Sequence, residues 1–235
     1  LAGVEVPTGG KTFHWAGRYE GTMDQAETLA TDLNVLETFD PKVPEGWKQC
    51  PYVFLANTDP AIQLRVVEQL KAPKLVVMDT MNLWIDIARD NLMKVLQKVD
   101  GLVINDAEAR MLSGESNLIA AGKALLRFGP RFVILKKGEH GSFLFSEDRL
   151  FGLPSYPLET VVDPTGAGDS FAGGTMGYLA SVQEAGVDDV CRAMVHGTIV
   201  ASYTVSDFSL DRLASLDRPT LDARATEMLD FVRVP

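Results

Sequence analysis

From Pro51 onward, apolar runs of strand length alternate with amphipathic stretches, and no other feature of the chain restricts its fold so tightly. The runs cover residues 52–56, 75–78, 102–104 and 132–135, separated by helix-like patterns over 61–70, 83–99 and 118–128. Strands that are apolar at nearly every position are buried on both faces, and helices joining them in a repeating order imply a parallel sheet. The expected fold is therefore open α/β, a mostly parallel sheet flanked by helices. Ligands of such sheets sit outside the carboxyl ends of the strands, where Asp79, Asn105 and Lys136 fall.

The first fifty residues read differently. Residues 11–19 and 33–39 mix β-branched and aromatic side chains with polar ones, a pattern of exposed strands. A small sheet of this kind covers a site or merely extends an edge, and both readings stay open here. Farther on, residues 142–145 and 150–153 flank a four-residue polar connection and predict a β-hairpin. Helical spacing follows from Ala167, over a stretch ending near Tyr203 and over 220–232.

Composition removes several classes of function. The 235 residues carry a formal charge of -10 with no basic cluster, so nucleic acid is not an expected partner. No apolar run approaches the roughly 18 residues a membrane span needs. Cys50 and Cys191 lack paired spacing, which argues against a disulfide framework or a zinc site and fits a cytoplasmic protein. His14, His140 and His196 show no ligand spacing either. The start at Leu1 has neither an initiator Met nor a leader, so more sequence is expected to precede it.

The chemistry concentrates in Asp163-Pro164-Thr165-Gly166-Ala167-Gly168-Asp169-Ser170-Phe171, between an extended run and a helix. Glycines at such a junction admit positive φ angles and close ligand approach, leaving the first helical N–H groups free to bind phosphate. Asp169 alone is a good helix cap. Directly after a Gly-Ala-Gly turn, however, its carboxylate would stand beside bound phosphate, where it can take a proton from an attacking hydroxyl. Two other nucleotide motifs fail: Phe171 replaces the third glycine of the dinucleotide fingerprint, and Gly174 stands where a Walker loop needs lysine.

The string D-P-T-G-A-G-D-S-F-A-G-G resembles the C-terminal signature of the ribokinase-like, or PfkB, carbohydrate and nucleoside kinases. Asn105-Asp106-Ala107-Glu108 is similar to the family's N-x-x-E element, and Lys137-Gly138-Glu139-His140-Gly141-Ser142 to its nucleotide-binding glycine turn. The resemblance implies a ribokinase-like fold with residues 1–50 as a partial β lid and 51–235 as the nucleotide-binding and catalytic domain, the family's first strand lying before Leu1. It further implies Asp169 as catalytic base, an anion hole at Gly166, Ala167 and Gly168, and nucleotide contacts from Thr165, Lys136, Gly138, Gly141 and Asn105. Glu108 would bind Mg²⁺ through water. Asp163 and Thr165 match a monovalent-cation site whose other half, around 202–207, departs from the family pattern.

Plainer readings exist for the same residues. Asn105 and Glu108 have the spacing of a capping box, and Gly138 and Gly141 suit a hairpin entry. Asp79-Thr80-Met81-Asn82-Leu83-Trp84 follows a strand near the expected acceptor site, but its spacing supports no assigned role. The expected function is ATP-dependent phosphoryl transfer to a hydroxyl of a sugar or nucleoside-like molecule. A regulatory nucleotide-binding module and a vitamin-precursor kinase of the same superfamily remain alternatives, and a homodimer through the lid is the expected assembly.

Overall fold

In the computed structural model, which describes residues 3–19 and 26–233, the chain opens with an antiparallel pair, β1 (His14–Tyr19) and β2 (Ala26–Asp32). Parts of the expected lid segment, 1–2 and 20–25, lie outside the described residues. The alternating region then runs β3 (Tyr52–Leu55), α1 (Pro60–Val67), β4 (Leu75–Asp79), α2 (Asn82–Ile87), α3 (Arg89–Leu96) and β5 (Gly101–Asn105). It continues with α4 (Asp106–Ser113), α5 (Leu118–Leu126), β6 (Phe132–Lys136), β7 (Ser142–Ser146) and β8 (Leu150–Leu153). Three long helices complete it: α6 (Ala167–Val182), α7 (Val187–Thr204) and α8 (Arg218–Phe231).

The six strands β3 to β8 lie side by side in chain order, the first four parallel and the last two antiparallel. Strand alternation divides the core in two. Leu75, Val77, Val103, Phe132 and Ile134 pack with α6, α7 and α8, whereas Val76, Met78, Leu102, Ile104, Val133 and Leu135 pack with the connecting helices. All of these side chains are essentially inaccessible to water, which is why the runs read as continuously apolar. No helix among the described residues is long and apolar enough to cross a membrane.

Two expectations from the sequence need correction. Residues 33–39 do not form a strand: β2 ends at Asp32, and Asn34–Thr38 is a short 3-10 turn. Asn34 turns the chain with φ 51°, and its amide donates to the Thr12 carbonyl at 2.8 Å, so a residue that tolerates the left-handed region ends the strand. The helix expected over 83–99 is broken into α2 and α3 at Ala88, whose φ of -130° interrupts the spiral. Arg89 then donates to the Leu112 carbonyl at 2.7 Å, a tertiary contact that no Gly or Pro announces.

Helices α6 and α7 cross closely because small residues meet there. A Cβ on Gly197 would lie 2.3 Å from Thr175 Oγ1 and 2.6 Å from the Phe171 carbonyl oxygen, while one on Gly174 would reach the Gly197 Cα at 3.0 Å. Backbone atoms cannot yield as a flexible side chain can. Since α6 also carries Asp169, this crossing fixes the height of its N-terminus against the sheet. Gly197→Ala gains about 1 kcal/mol of helix propensity but overpacks a rigid contact at a cost of roughly 1–3 kcal/mol. The expected outcome is a lower melting temperature by calorimetry; an increase would mean that the crossing is loose.

Candidate active site

Three neighbouring parallel strands end in polar residues, Asp79 on β4, Asn105 on β5 and Lys136 on β6. The register places Asn105 directly beside Lys136, and Asp79 beside Val103 two residues before Asn105. The loop holding the Gly-Ala-Gly sequence brings the N-terminus of α6 to the same edge. Val162 N–H donates to the Val205 carbonyl at 2.8 Å, tying that loop to the end of α7. Asp163 Oδ1 accepts the Thr165 N–H at 2.9 Å, so this carboxylate shapes the turn.

Gly166 caps α6 in the left-handed region, φ 79°, with no side-chain cap. Ala167 N–H reaches the Pro164 carbonyl and Ser170 N–H the Gly166 carbonyl, which leaves the N–H groups of Gly168 and Asp169 without an acceptor among the described residues. An uncapped helix start of this kind attracts anions. Lys136 adds to it: a Cβ on Gly168 would stand 2.7 Å from Lys136 Nζ, so the ammonium lies against the helix entrance. Asp169 follows in the first turn, exposed to solvent.

Asn105 and Glu108 do form the capping box that the sequence allowed. Asn105 Oδ1 accepts the Glu108 N–H at 2.8 Å, and Glu108 Oε2 accepts the Asn105 N–H at 2.9 Å. Removal from water pushes the Glu108 carboxyl above its usual range, while the Asn105 N–H and Lys136 pull it back. The capping bond occupies one carboxylate oxygen. It thereby also fixes the side chain at the edge of the sheet, beside Lys136.

Asp79 is the residue that sequence reasoning located without giving it a role. It is 6% exposed, and its Oδ1 has no hydrogen-bond partner among the described residues. Burial lifts its carboxyl from 3.8 to about 7; Lys136 opposes the rise, and the charges of Asp169 and Glu108 add to it. The same four side chains thus sense one another across the edge. A carboxylate ending an otherwise apolar, buried strand was the signal available in the sequence.

The glycine turn after β6 is built for a particular backbone. Gly138 has φ 54° and Gly141 φ 82°, and a Cβ on Gly141 would lie 2.1 Å from the Leu153 carbonyl oxygen. Gly141 is therefore required by the approach of β8, whatever else passes the loop. Thr165 sits exposed on the α6 side of the edge. No group of three or more His, Cys, Asp or Glu poised to hold a metal occurs among the described residues.

Asp79 makes the stability of the ligand-free protein depend on pH. Its folded pKa lies above its unfolded value, so its contribution is fully present below about 4 and is lost as pH rises toward 7. Chemical denaturation of the wild type and Asp79→Asn is expected to show the wild type losing ground to the variant across that window. Parallel pH profiles would show that Asp79 is not desolvated.

The model of the pfkB family carbohydrate kinases matches residues 49–211. A cytidine kinase of Thermococcus kodakarensis is 28% identical over 185 residues, 76% of this chain and 65% of the relative, and a nucleoside kinase of Thermoplasma acidophilum is 35% identical over 39% of this chain and 30% of its own. The chain thus spans less than two thirds of these relatives. Among solved structures, the nucleoside kinase of Methanocaldococcus jannaschii, described as an archaeal member of the ribokinase family, superposes with a TM-score of 0.70 at 18% identity, covering 93% of this chain and 69% of that one. The fructokinase of Vibrio cholerae, solved with fructose, ADP and calcium, gives 0.65 at 17% identity, covering 79% and 63%. At such identities the likeness is one of fold, and it is the ribokinase-like α/β fold. With more than half of its length matched by the family model, this chain belongs to the pfkB family of carbohydrate kinases.

Proposed function

We propose that the protein transfers the γ-phosphoryl group of ATP to a hydroxyl of a sugar or nucleoside, with Asp169 as general base. The observation that carries this reading is the uncapped start of α6, where two free N–H groups, Lys136 Nζ and a carboxylate share one strand-end edge. Phosphate oxygens fit the N–H groups and the ammonium. Asp169 stands in the first turn of the same helix, where an acceptor hydroxyl would approach the phosphorus. The relatives' names, cytidine, nucleoside and fructokinase, fit a hydroxyl acceptor.

In the reaction, the acceptor oxygen bonds to the γ-phosphorus while the bond from that phosphorus to the bridging oxygen breaks. ADP leaves with the electron pair, and the hydroxyl proton passes to the Asp169 carboxylate. The negative charge on the transferring group is met by the Gly168 and Asp169 N–H groups and by Lys136, which are in place before reaction begins. Catalysis is then chiefly positioning and electrostatics.

A divalent cation fits the residues present. Asp79 offers a buried, unpartnered oxygen and Glu108 a second hard oxygen, too few for a closed protein cage but suited to an ion that keeps waters and phosphate ligands. Asp79 and Glu108 would hold it, and Mg²⁺ there would neutralise phosphate charge. We place Asn105, Gly138, Gly141 and Thr165 along the nucleotide, and the β1–β2 pair as the cover over the acceptor. Asp163 already holds the Thr165 N–H, and a monovalent cation would use its other oxygen.

The base assignment is open to a direct test. Asn at 169 keeps the size of the side chain and can still cap the helix, but it cannot accept the proton. Asp169→Asn in the full-length protein is expected to lower kcat by about two to four orders of magnitude while ATP affinity and melting temperature stay close to wild type. Turnover within a few-fold of wild type would reduce Asp169 to a cap.

A further inference from the structure

Beside the phosphate-binding edge lies a cavity of about 320 Å³, roofed by the segment around β2 and floored by the turns that follow β3 and β4. Resting on the phosphotransferase reading above, we propose that this cavity takes a nucleoside, with its planar base on the apolar wall, in preference to a free sugar. Its position suits the acceptor. Met81, Leu83 and Trp84 line it and follow Asp79 within five residues, and Asp79 belongs to the charge cluster at the start of α6.

The lining is the discriminating observation. Phe13, Leu36, Phe39, Met81 and Trp84 present aromatic and aliphatic surface, which suits the faces of a heteroaromatic ring. Of the polar side chains that border the cavity, Arg65 is committed to Asp40 at 2.9 Å and to the Phe39 carbonyl, and Asp59 Oδ1 accepts the Ala61 N–H at 2.8 Å as the cap of α1. A free hexose buries several non-reacting hydroxyls, and each one left without a partner weakens binding by roughly tenfold. Four more polar side chains, Thr31, Glu37, Asn57 and Thr58, line it against eight apolar ones. A nucleoside asks less: Glu37 and the second oxygen of Asp59 can accept from the ribose hydroxyls, while the base needs mainly apolar contact.

Asn57 gives the wall one oriented polar group. The indole Nε1–H of the buried Trp84 donates to Asn57 Oδ1 at 3.0 Å, which sets the amide's orientation because an indole can only donate. The Asn57 nitrogen then donates to Met81 Sδ at 3.2 Å, and its second N–H has no acceptor among the described residues, leaving a donor on a side chain that lines the cavity. Such a donor matches a carbonyl oxygen or ring nitrogen on the edge of a base. It discriminates poorly among hydroxyls, which accept and donate alike.

The test measures ADP release by the full-length protein with Mg-ATP and adenosine, guanosine, inosine, cytidine, uridine, ribose or fructose, alongside calorimetric binding of the same compounds. At least one nucleoside is expected to exceed ribose and fructose by a hundredfold or more in kcat/KM. Phe13 is 38% exposed, so Phe13→Ala should fold normally, raise the KM for that nucleoside by roughly tenfold and leave the KM for ATP unchanged. Fructose or ribose as the best acceptor would overturn the nucleoside assignment and leave the kinase reading intact. If no compound releases ADP, the kinase reading fails, and calorimetry still decides the cavity: nucleoside binding weakened by Phe13→Ala supports it, and the absence of nucleoside binding overturns it.

Discussion

A parallel strand can be followed by another only if the chain returns over a face of the sheet, and that constraint builds the rest of this molecule. The returns after β3, β4 and β5 carry α1 to α5 across one face, and α6, α7 and α8 fill the other. Because the first four strands run the same way, their carboxyl ends share one edge, and residues far apart in sequence meet there without any designed contact between them. Asp79, Asn105 and Lys136 are neighbours for this reason. The sheet turns antiparallel only at β7 and β8, beyond the glycine turn, so the loop after β6 stays on the same edge.

The edge concentrates charge in a place from which water is largely removed. Asp79 and Glu108 are both pushed toward their neutral forms by desolvation, Lys136 opposes this, and the start of α6 adds the positive end of a 16-residue helix. Such an arrangement is poorly satisfied by itself, as the unpartnered Asp79 oxygen shows. Folding tolerates it because the surrounding apolar layers are continuous and the α6–α7 crossing leaves no slack. A strained electrostatic edge on a rigid sheet suits phosphate and metal chemistry, which needs charges fixed before the reaction.

The sequence made the α/β layering legible because burial on both faces writes itself as unbroken apolar runs, and the β7–β8 hairpin because four polar residues separate two such runs. Elements governed by tertiary contacts were harder to see. The break at Ala88 depends on Arg89 reaching Leu112, and the turn at Asn34 on a hydrogen bond to Thr12, neither visible in a local pattern. At the site, the glycines and Asp169 were legible through their spacing, and the capping box at Asn105 and Glu108 through its period of three. Asp79 was legible in position but not in character, since that comes from Lys136, Glu108 and Asp169, which lie 29 to 90 positions away. The cavity beneath β2 was equally hidden, because Phe13 and Trp84 come to line one space only after the fold closes.

The central claim is that the start of α6 and Lys136 together form the phosphate site. Diffraction from crystals of the full-length protein grown with Mg²⁺ and a non-hydrolysable ATP analogue measures this directly. The account predicts the γ-phosphate within hydrogen-bond distance of the Gly168 and Asp169 N–H groups and of Lys136 Nζ, with the metal on the Asp79 and Glu108 side. A triphosphate bound elsewhere, with those N–H groups facing only solvent, would contradict it.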